Sequence, residues 1–231
     1  VRGTTFTYRG FDLSASGSLV CHYELDAEVF SETINFEIPD GDFTSAAAAA
    51  AARLVFLLAG ISYYKTGAAK NIAVPSGLSA KERELLTHFY REGLGEFAYV
   101  NQLDLSDIEI AAPEIEHERA VAETVENHPL IPFGGGIDSI VVVAETTRTQ
   151  PNAALFVANT STTLFEPIEQ TALITGLPIL RANRKLDEKV LRSRELNYLN
   201  GHVPVTGILS AIAVMTAVVS GRDSVVMSNE H

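Results

Sequence analysis

Pro129-Leu130-Ile131-Pro132-Phe133-Gly134-Gly135-Gly136-Ile137-Asp138-Ser139 is the most informative run in the chain. A short apolar segment ends in three glycines, and a helical pattern then runs from Asp138 to about Thr147. An apolar run without alternation reads as a strand buried on both faces. The glycines allow a sharp turn and leave the backbone N–H groups unshielded. Those groups, with the first turn of the helix, point above the strand end and make an anion site by geometry and by dipole. Ser139 adds a hydroxyl donor. Asp138 can hold a metal ion or cap the helix.

The same alternation of apolar strands and helices continues to the C-terminus. Residues 153–158 read as a buried strand, 166–175 as a helix stopped by Gly176, and 178–180 as a third strand. Residues 205–220 read as a long apolar helix and 224–227 as a fourth strand. This order predicts a doubly wound parallel sheet with helices on both faces over 129–231. Such a domain continues with a helix and another strand, so this end is expected to be truncated. The stretch 203–220 approaches the length of a membrane-spanning helix. Pro204, Thr206, Gly207, Ser210 and Thr216 within it favour a helix buried inside the fold, with no membrane partner.

The N-terminal half has a different texture. Residues 4–38 alternate and are rich in aromatic and β-branched side chains, with turn signals at Ser16-Gly17 and near Asp26, which predicts an antiparallel meander. A helix capped by Thr44 or Ser45 and driven by seven alanines follows, stopped by Gly60. Ile61-Ser62-Tyr63-Tyr64-Lys65 reads as a short strand or loop, 71–74 as a strand, and 79–91 as a helix with a Ser79/Glu82 capping box. The Gly93-Leu94-Gly95 stretch ends that helix, and the acidic stretch 104–127 reads as a connection with some helix. The predicted organisation is α/β: an N-terminal α+β domain with antiparallel strands over 1–112, a linker over 113–128, and the parallel-sheet domain over 129–231.

Charge narrows the partners. The 231 residues carry a net charge of −12. Residues 1–130 hold 20 acidic and 9 basic side chains, whereas residues 131–231 hold 9 and 8. Neither half has the basic surplus of a nucleic-acid binder, and the near-neutral half repels an anionic ligand less. Cys21 is the single cysteine, so no internal disulfide can form; it reads as a packed thiol in a strand. With no signal-peptide pattern, a cytoplasmic location is expected. The sequence leaves the oligomeric state open, a homo-oligomer included.

The glycine loop is neither a Gly-x4-Gly-Lys-Ser/Thr phosphate loop, since no lysine follows, nor a Gly-x-Gly-x-x-Gly dinucleotide fingerprint. It resembles the Ser-Gly-Gly-x-Asp-Ser loop of the ATP pyrophosphatase (PP-loop) family. That resemblance implies ATP, with Mg²⁺, cradled by Gly134, Gly135, Gly136, Ile137, Asp138 and Ser139, the metal at Asp138, and cleavage between the α- and β-phosphates. Gly134 stands where the family usually has serine and Ile137 where many members have lysine, so further neutralisation has to come from elsewhere. Arg181, Arg184, Lys185, Lys189, Arg192 and Arg194 place six of the 17 basic residues within 14 positions. Arg181 and Arg184, expected just after the third strand, are the candidates to meet phosphates. Lys189, Arg192 and Arg194 read as a solvated face paired with Asp187, Glu188 and Glu195.

Three further runs carry a closer resemblance: Ser62-Tyr63-Tyr64-Lys65, Asn200-Gly201-His202-Val203-Pro204-Val205-Thr206, and Ser228-Asn229-Glu230-His231. With the glycine loop, they resemble the ATP-dependent UDP-N-acetylmuramoyl-L-alanyl-L-glutamate epimerases of cell-wall synthesis (MurL type). In that family glutamate-arginine is expected at 230–231, and His231 departs from it. The resemblance implies a UDP-N-acetylmuramoyl dipeptide substrate whose terminal L-glutamate is activated as an acyl-adenylate, inverted at Cα and released as the D-form. His202 is the first candidate for proton transfer, since histidine ordinarily titrates near neutrality; its alternative role is to cap the helix that follows. Lys65 is the second candidate, as an opposite-face base or as a carboxylate or phosphate anchor, and Glu230 would hold Mg²⁺ or shuttle a proton. Tyr63 and Tyr64 read as packing residues, and Asp26, Glu28 and Glu32 as solvated strand faces. The competing functions are another adenylating enzyme, amidating or tRNA-modifying, and a nucleotide-binding module without turnover.

Overall fold

The computed structural model describes residues 2–159 and 166–228. Glu230, Asn229 and His231 therefore lie outside the described residues. The N-terminal meander is present as β1 (Thr5–Leu13), β2 (Ser18–Leu25) and β3 (Glu28–Glu37), all antiparallel. α1 (Ala46–Ala59) is capped by the Ser45 hydroxyl, which accepts the Ala48 N–H. Gly60 does not stop the chain in a left-handed turn. It keeps helical angles, and α2 (Ile61–Tyr64) follows where a strand or loop was expected. Gly60 has no side chain because the Tyr8 ring lies against it, at 2.6 Å from where a Cβ would stand. β4 (Asn71–Ala73) precedes α3 (Ala80–Arg91), whose Ser79/Glu82 capping box is formed as expected.

α4 (Gly95–Asn101) and β5 (Glu109–Ala111) occupy the acidic stretch and its approach, and no helix lies between β5 and residue 124. The second half supplies β6 (Val125–Pro132), α5 (Ile137–Thr147), β7 (Ala154–Asn159), α6 (Glu166–Ile174), β8 (Ile179–Lys185), α7 (Glu188–Leu191), α8 (Val205–Val219) and β9 (Arg222–Val225). Among the described residues, the nine strands form one mixed sheet in the order β5-β4-β1-β2-β3-β8-β7-β6-β9. The expected boundary at 113–128 does not coincide with a break in it. β3 and β8 pair antiparallel from Thr33↔Lys185 to Glu37↔Arg181, and the segment read as a linker carries a bridge at Glu114 and the start of β6.

The four C-terminal strands are all parallel and ordered 8-7-6-9. The chain winds outward from β6 through β7 to β8, then returns by α8 to β9 on the other side of β6. Period-two alternation sends their side chains into two cores. Ile131, Leu155 and Val157 face α5 and α6, packing with Val143 and Ala172. Leu130, Ala154 and Phe156 face the larger core that α1 and α8 share with the meander. The alanines of α1 pack beside Ala211, Ala213 and Ala217 of α8 there, small enough for close helix approach. Residues 46–64 are long and apolar enough to cross a membrane, yet 72% of that window is buried inside the fold. Cys21 is buried in this core, and burial pushes its thiol pKa up, as expected of a packed thiol.

Candidate functional site

In a doubly wound sheet, ligands sit at the carboxyl ends of the strands, where neighbouring connections leave in opposite directions. Here that point is the end of β6, flanked by β7 and β9, and the glycine loop occupies it. A cleft of about 380 Å³ opens there. Gly134, Gly136, Asp138 and Ser139 line it with Phe156 and Ala158 of β7, Ile168 of α6, Thr206 and Leu209 of α8, and Met227 and Ser228 after β9. Gly135 has φ of 74°, a left-handed value that favours glycine. Among the described residues, a Cβ added at Gly134 or Gly136 would meet nothing within 4 Å.

α5 starts at Gly136 in extended conformation with no side-chain cap bond. A helix leaves its first N–H groups without intrahelical partners, so those of α5 are presented at the cleft. Ile137 and Asp138 are exposed. Ser139 lines the cleft, but its hydroxyl donates to the Gly136 carbonyl at 2.8 Å and is not the free donor expected. Among the described residues no group of three or more His, Cys, Asp or Glu could hold a metal. A lone carboxylate at Asp138 suits Mg²⁺, which typically takes one or two carboxylates and completes its shell with substrate phosphates and water. The α5 amides and this carboxylate are groups that could hold a nucleotide triphosphate with magnesium.

The expected cations lie elsewhere. β8 extends through Lys185, past the predicted end at Leu180, because β3 pairs with it. Arg181 and Arg184 are therefore inside a strand, and a spacing of three sends them to opposite faces. Arg181 pairs with Glu169 of α6. Arg184 is 6% exposed and bonds Glu32, itself 0% exposed, at 2.6 and 3.1 Å, and the Ser62 hydroxyl at 3.0 Å. Burial alone would lower the guanidinium pKa, but the Glu32 charge and hydrogen bonds hold it above its ordinary value. Glu32 is thus no solvated strand residue. It faces inward beside Phe30 and Ile34, and an acid at that phase of the alternation was the available signal.

Lys65 ends α2 and donates from Nζ to the Asn200 carboxamide at 3.0 Å, with Leu199 N–H bonding the Thr66 carbonyl at 3.0 Å. The fold therefore joins the run ending at Lys65 to the Asn200-Gly201-His202 run. Partial burial, then the nearby Arg184 charge, lower the Lys65 pKa. His202 is exposed on the loop before α8, four residues from Thr206 at the cleft. Among the described residues, none of Lys65, Arg181, Arg184 and His202 lines the cleft itself. Tyr63 and Tyr64 are fully buried in an aromatic cluster with Tyr23 and Phe6, as packing residues. Missed in the sequence were the apolar walls Phe156, Ile168 and Leu209, whose residue types look like any core.

The fold and cleft define a mixed α/β protein with a glycine loop at the switch point of its parallel strands. A family model described as the MurL N-terminal domain matches residues 1–231, and the chain belongs to that family. Three curated relatives are named UDP-N-acetyl-alpha-D-muramoyl-L-alanyl-L-glutamate epimerase. The one from Salinispora tropica is 36% identical over 98% of this chain and 50% of its own length. That from a Micromonospora species is 34% identical over 100% and 53%, and that from Xanthomonas oryzae pv. oryzae 35% over 83% and 42%. The chain thus spans about half the length of the curated relatives it matches. No solved structure matches it.

Proposed function

We propose that this chain is the ATP-handling part of an enzyme that inverts the terminal L-glutamate of UDP-N-acetylmuramoyl-L-alanyl-L-glutamate for peptidoglycan synthesis in the cytoplasm. The relatives' printed names support the substrate, and the glycine loop opening α5 at the sheet's switch point is the observation that carries the ATP reading. The parallel half is read as a PP-loop domain on that ground. A free carboxylate makes the neighbouring α-proton very weakly acidic, because the carbanion would sit beside a full negative charge. Activation as an acyl-adenylate, with pyrophosphate released, removes that charge and lets the enolate spread onto the carbonyl. Magnesium at Asp138 would neutralise the phosphates.

The chain's own groups then divide the work. The α5 amides orient the phosphates. Inversion needs proton transfer on both faces of Cα. Lys65 at the end of α2 donates to the Asn200 carboxamide, His202 follows Asn200 by two residues on the same loop, and Glu230 lies beyond the described residues. A lysine with a lowered pKa offers a larger neutral fraction to act as a base. The full-length protein should release pyrophosphate and AMP from ATP only with the L-glutamyl dipeptide substrate. Asp138→Asn should cut that release about 100-fold. His202→Ala should block Cα exchange with solvent deuterium while pyrophosphate release persists. Nucleotide binding without turnover in the unaltered protein would favour a sensor module instead.

A further inference from the structure

The basic run 181–194 stands out in a chain of net charge −12, and only Arg181 and Arg184 are consumed inside the sheet. Lys185, Lys189 and Arg192 line a second cleft of about 370 Å³, floored by Ser31 and Thr33 of β3. Of the two acids at its rim, Asp187 is committed to backbone: it accepts the Ser31 and Lys189 N–H groups, each at 3.0 Å. Glu188 remains at the rim, and Glu28 and Glu195 stand beside two of the cations. Among the described residues Arg192 pairs with Glu195, an exposed pair three residues apart at 2.7 Å that a stronger anion can displace. Lys189 is fixed by Glu28 at 2.7 Å with its ammonium 5.0 Å from the centre of the Phe30 ring.

The position of this cleft matters as much as its charge. Pro132, Phe156 and Leu180 lie on one row across β6, β7 and β8, and Lys185 is five residues further along β8. Two strand spacings across and five residues along put the second cleft roughly 15–20 Å from the glycine loop, beyond the same strand ends. A polar ladder crosses β7, β8 and β3, with Asn159 donating to Asn183 at 3.1 Å and Asn183 to Glu37 at 2.5 Å.

We propose that this second cleft binds the diphosphate of a nucleotide-linked substrate whose reacting carboxylate lies at the glycine loop. The inference rests on the epimerase reading. In that substrate a sugar ring, a lactyl ether and two residues separate the diphosphate from the glutamyl Cα. The two residues alone span up to about 7 Å, so the whole spacer has the order of length that separates the clefts. Ser31 and Thr33 offer neutral donors, and the cations offer charge-assisted bonds to the phosphate oxygens.

The test measures binding to the full-length protein and its variants Lys185→Gln and Arg192→Gln. The probes are UDP-N-acetylmuramoyl-L-alanyl-L-glutamate, the same muramoyl dipeptide without the UDP group, UDP, ADP and ATP. Each variant should weaken the UDP-linked substrate and UDP about tenfold, and leave ATP and the UDP-free dipeptide within twofold. Unchanged affinity for the UDP-linked substrate, equal weakening of the UDP-free dipeptide, or no binding by the unaltered protein would each overturn the proposal. Competition by ADP as strong as by UDP would mark the cleft as a second adenine-nucleotide site and overturn it too. Failure of the epimerase reading shows differently, as absence of substrate-dependent pyrophosphate release whatever the variants bind.

Discussion

Glu32 and Arg184 meet inside the larger core, and removing one partner strands the other's charge in a poor solvent. Such a loss typically costs about 3–5 kcal/mol, while replacing both partners with apolar groups is often neutral. Glu32→Gln should therefore lower stability by about 3–5 kcal/mol in urea unfolding, and Glu32→Met with Arg184→Met should recover most of it. A single variant within about 1 kcal/mol of the parent would show that the pair is solvated, contrary to its burial. These residues were misread from sequence for one reason. Their environment depends on β3 meeting β8, and nothing local announces a partner about 150 positions away. The glycine loop needed no such information, because turn, strand end and helix start are adjacent in the chain.

α3 shows how one local motif acquires a longer reach. The capping box was readable from Ser79 and Glu82 alone. The fold adds Arg53 of α1 at 2.6 Å and His117 at 3.0 Å to the same Glu82 carboxylate. Burial alone would raise its pKa, but the hydrogen bonds from Arg53, Ser79 N–H and His117, with the Arg53 charge, hold it at about 2 against an ordinary 4.5. A folded value below the unfolded one means stability that is fully present above pH 4.5 and is lost as pH falls from 4.5 towards 2. The stability gap between the parent and Glu82→Gln should thus be about 2–3 kcal/mol at pH 7 and close steadily below pH 4.5. A gap that stays constant down to pH 3 would mean the carboxylate is not held by these partners. α5 and α8 were equally readable, from long apolar patterns. α2 and α4 were not, since four and seven residues give no periodicity to count. α4 forms because Phe97 is buried, and it ends where Gln102 turns left-handed.

At the largest scale, a change of texture near residue 113 suggested two domains, and texture is what the sequence can report. The weld between the halves is written in backbone pairing of β3 with β8 and in the contact of α1 with α8. Each is an edge or a face that local reading leaves unpartnered. The weld has a functional meaning under the epimerase reading. Lys65 comes from the first half and Asn200 and His202 from the second, and the second cleft takes Ser31 and Thr33 from β3 and its cations from the end of β8 (Lys185), from α7 (Lys189) and from the residue that follows it (Arg192). Residues 116–121 are largely exposed and carry no helix or strand, so a protease should cut there first. The two pieces of the nicked chain should then stay together on gel filtration in native buffer and part only in denaturant. Pieces that separate in native buffer would mean the seam is held by chain connection alone, and a site assembled across it would lose its physical basis.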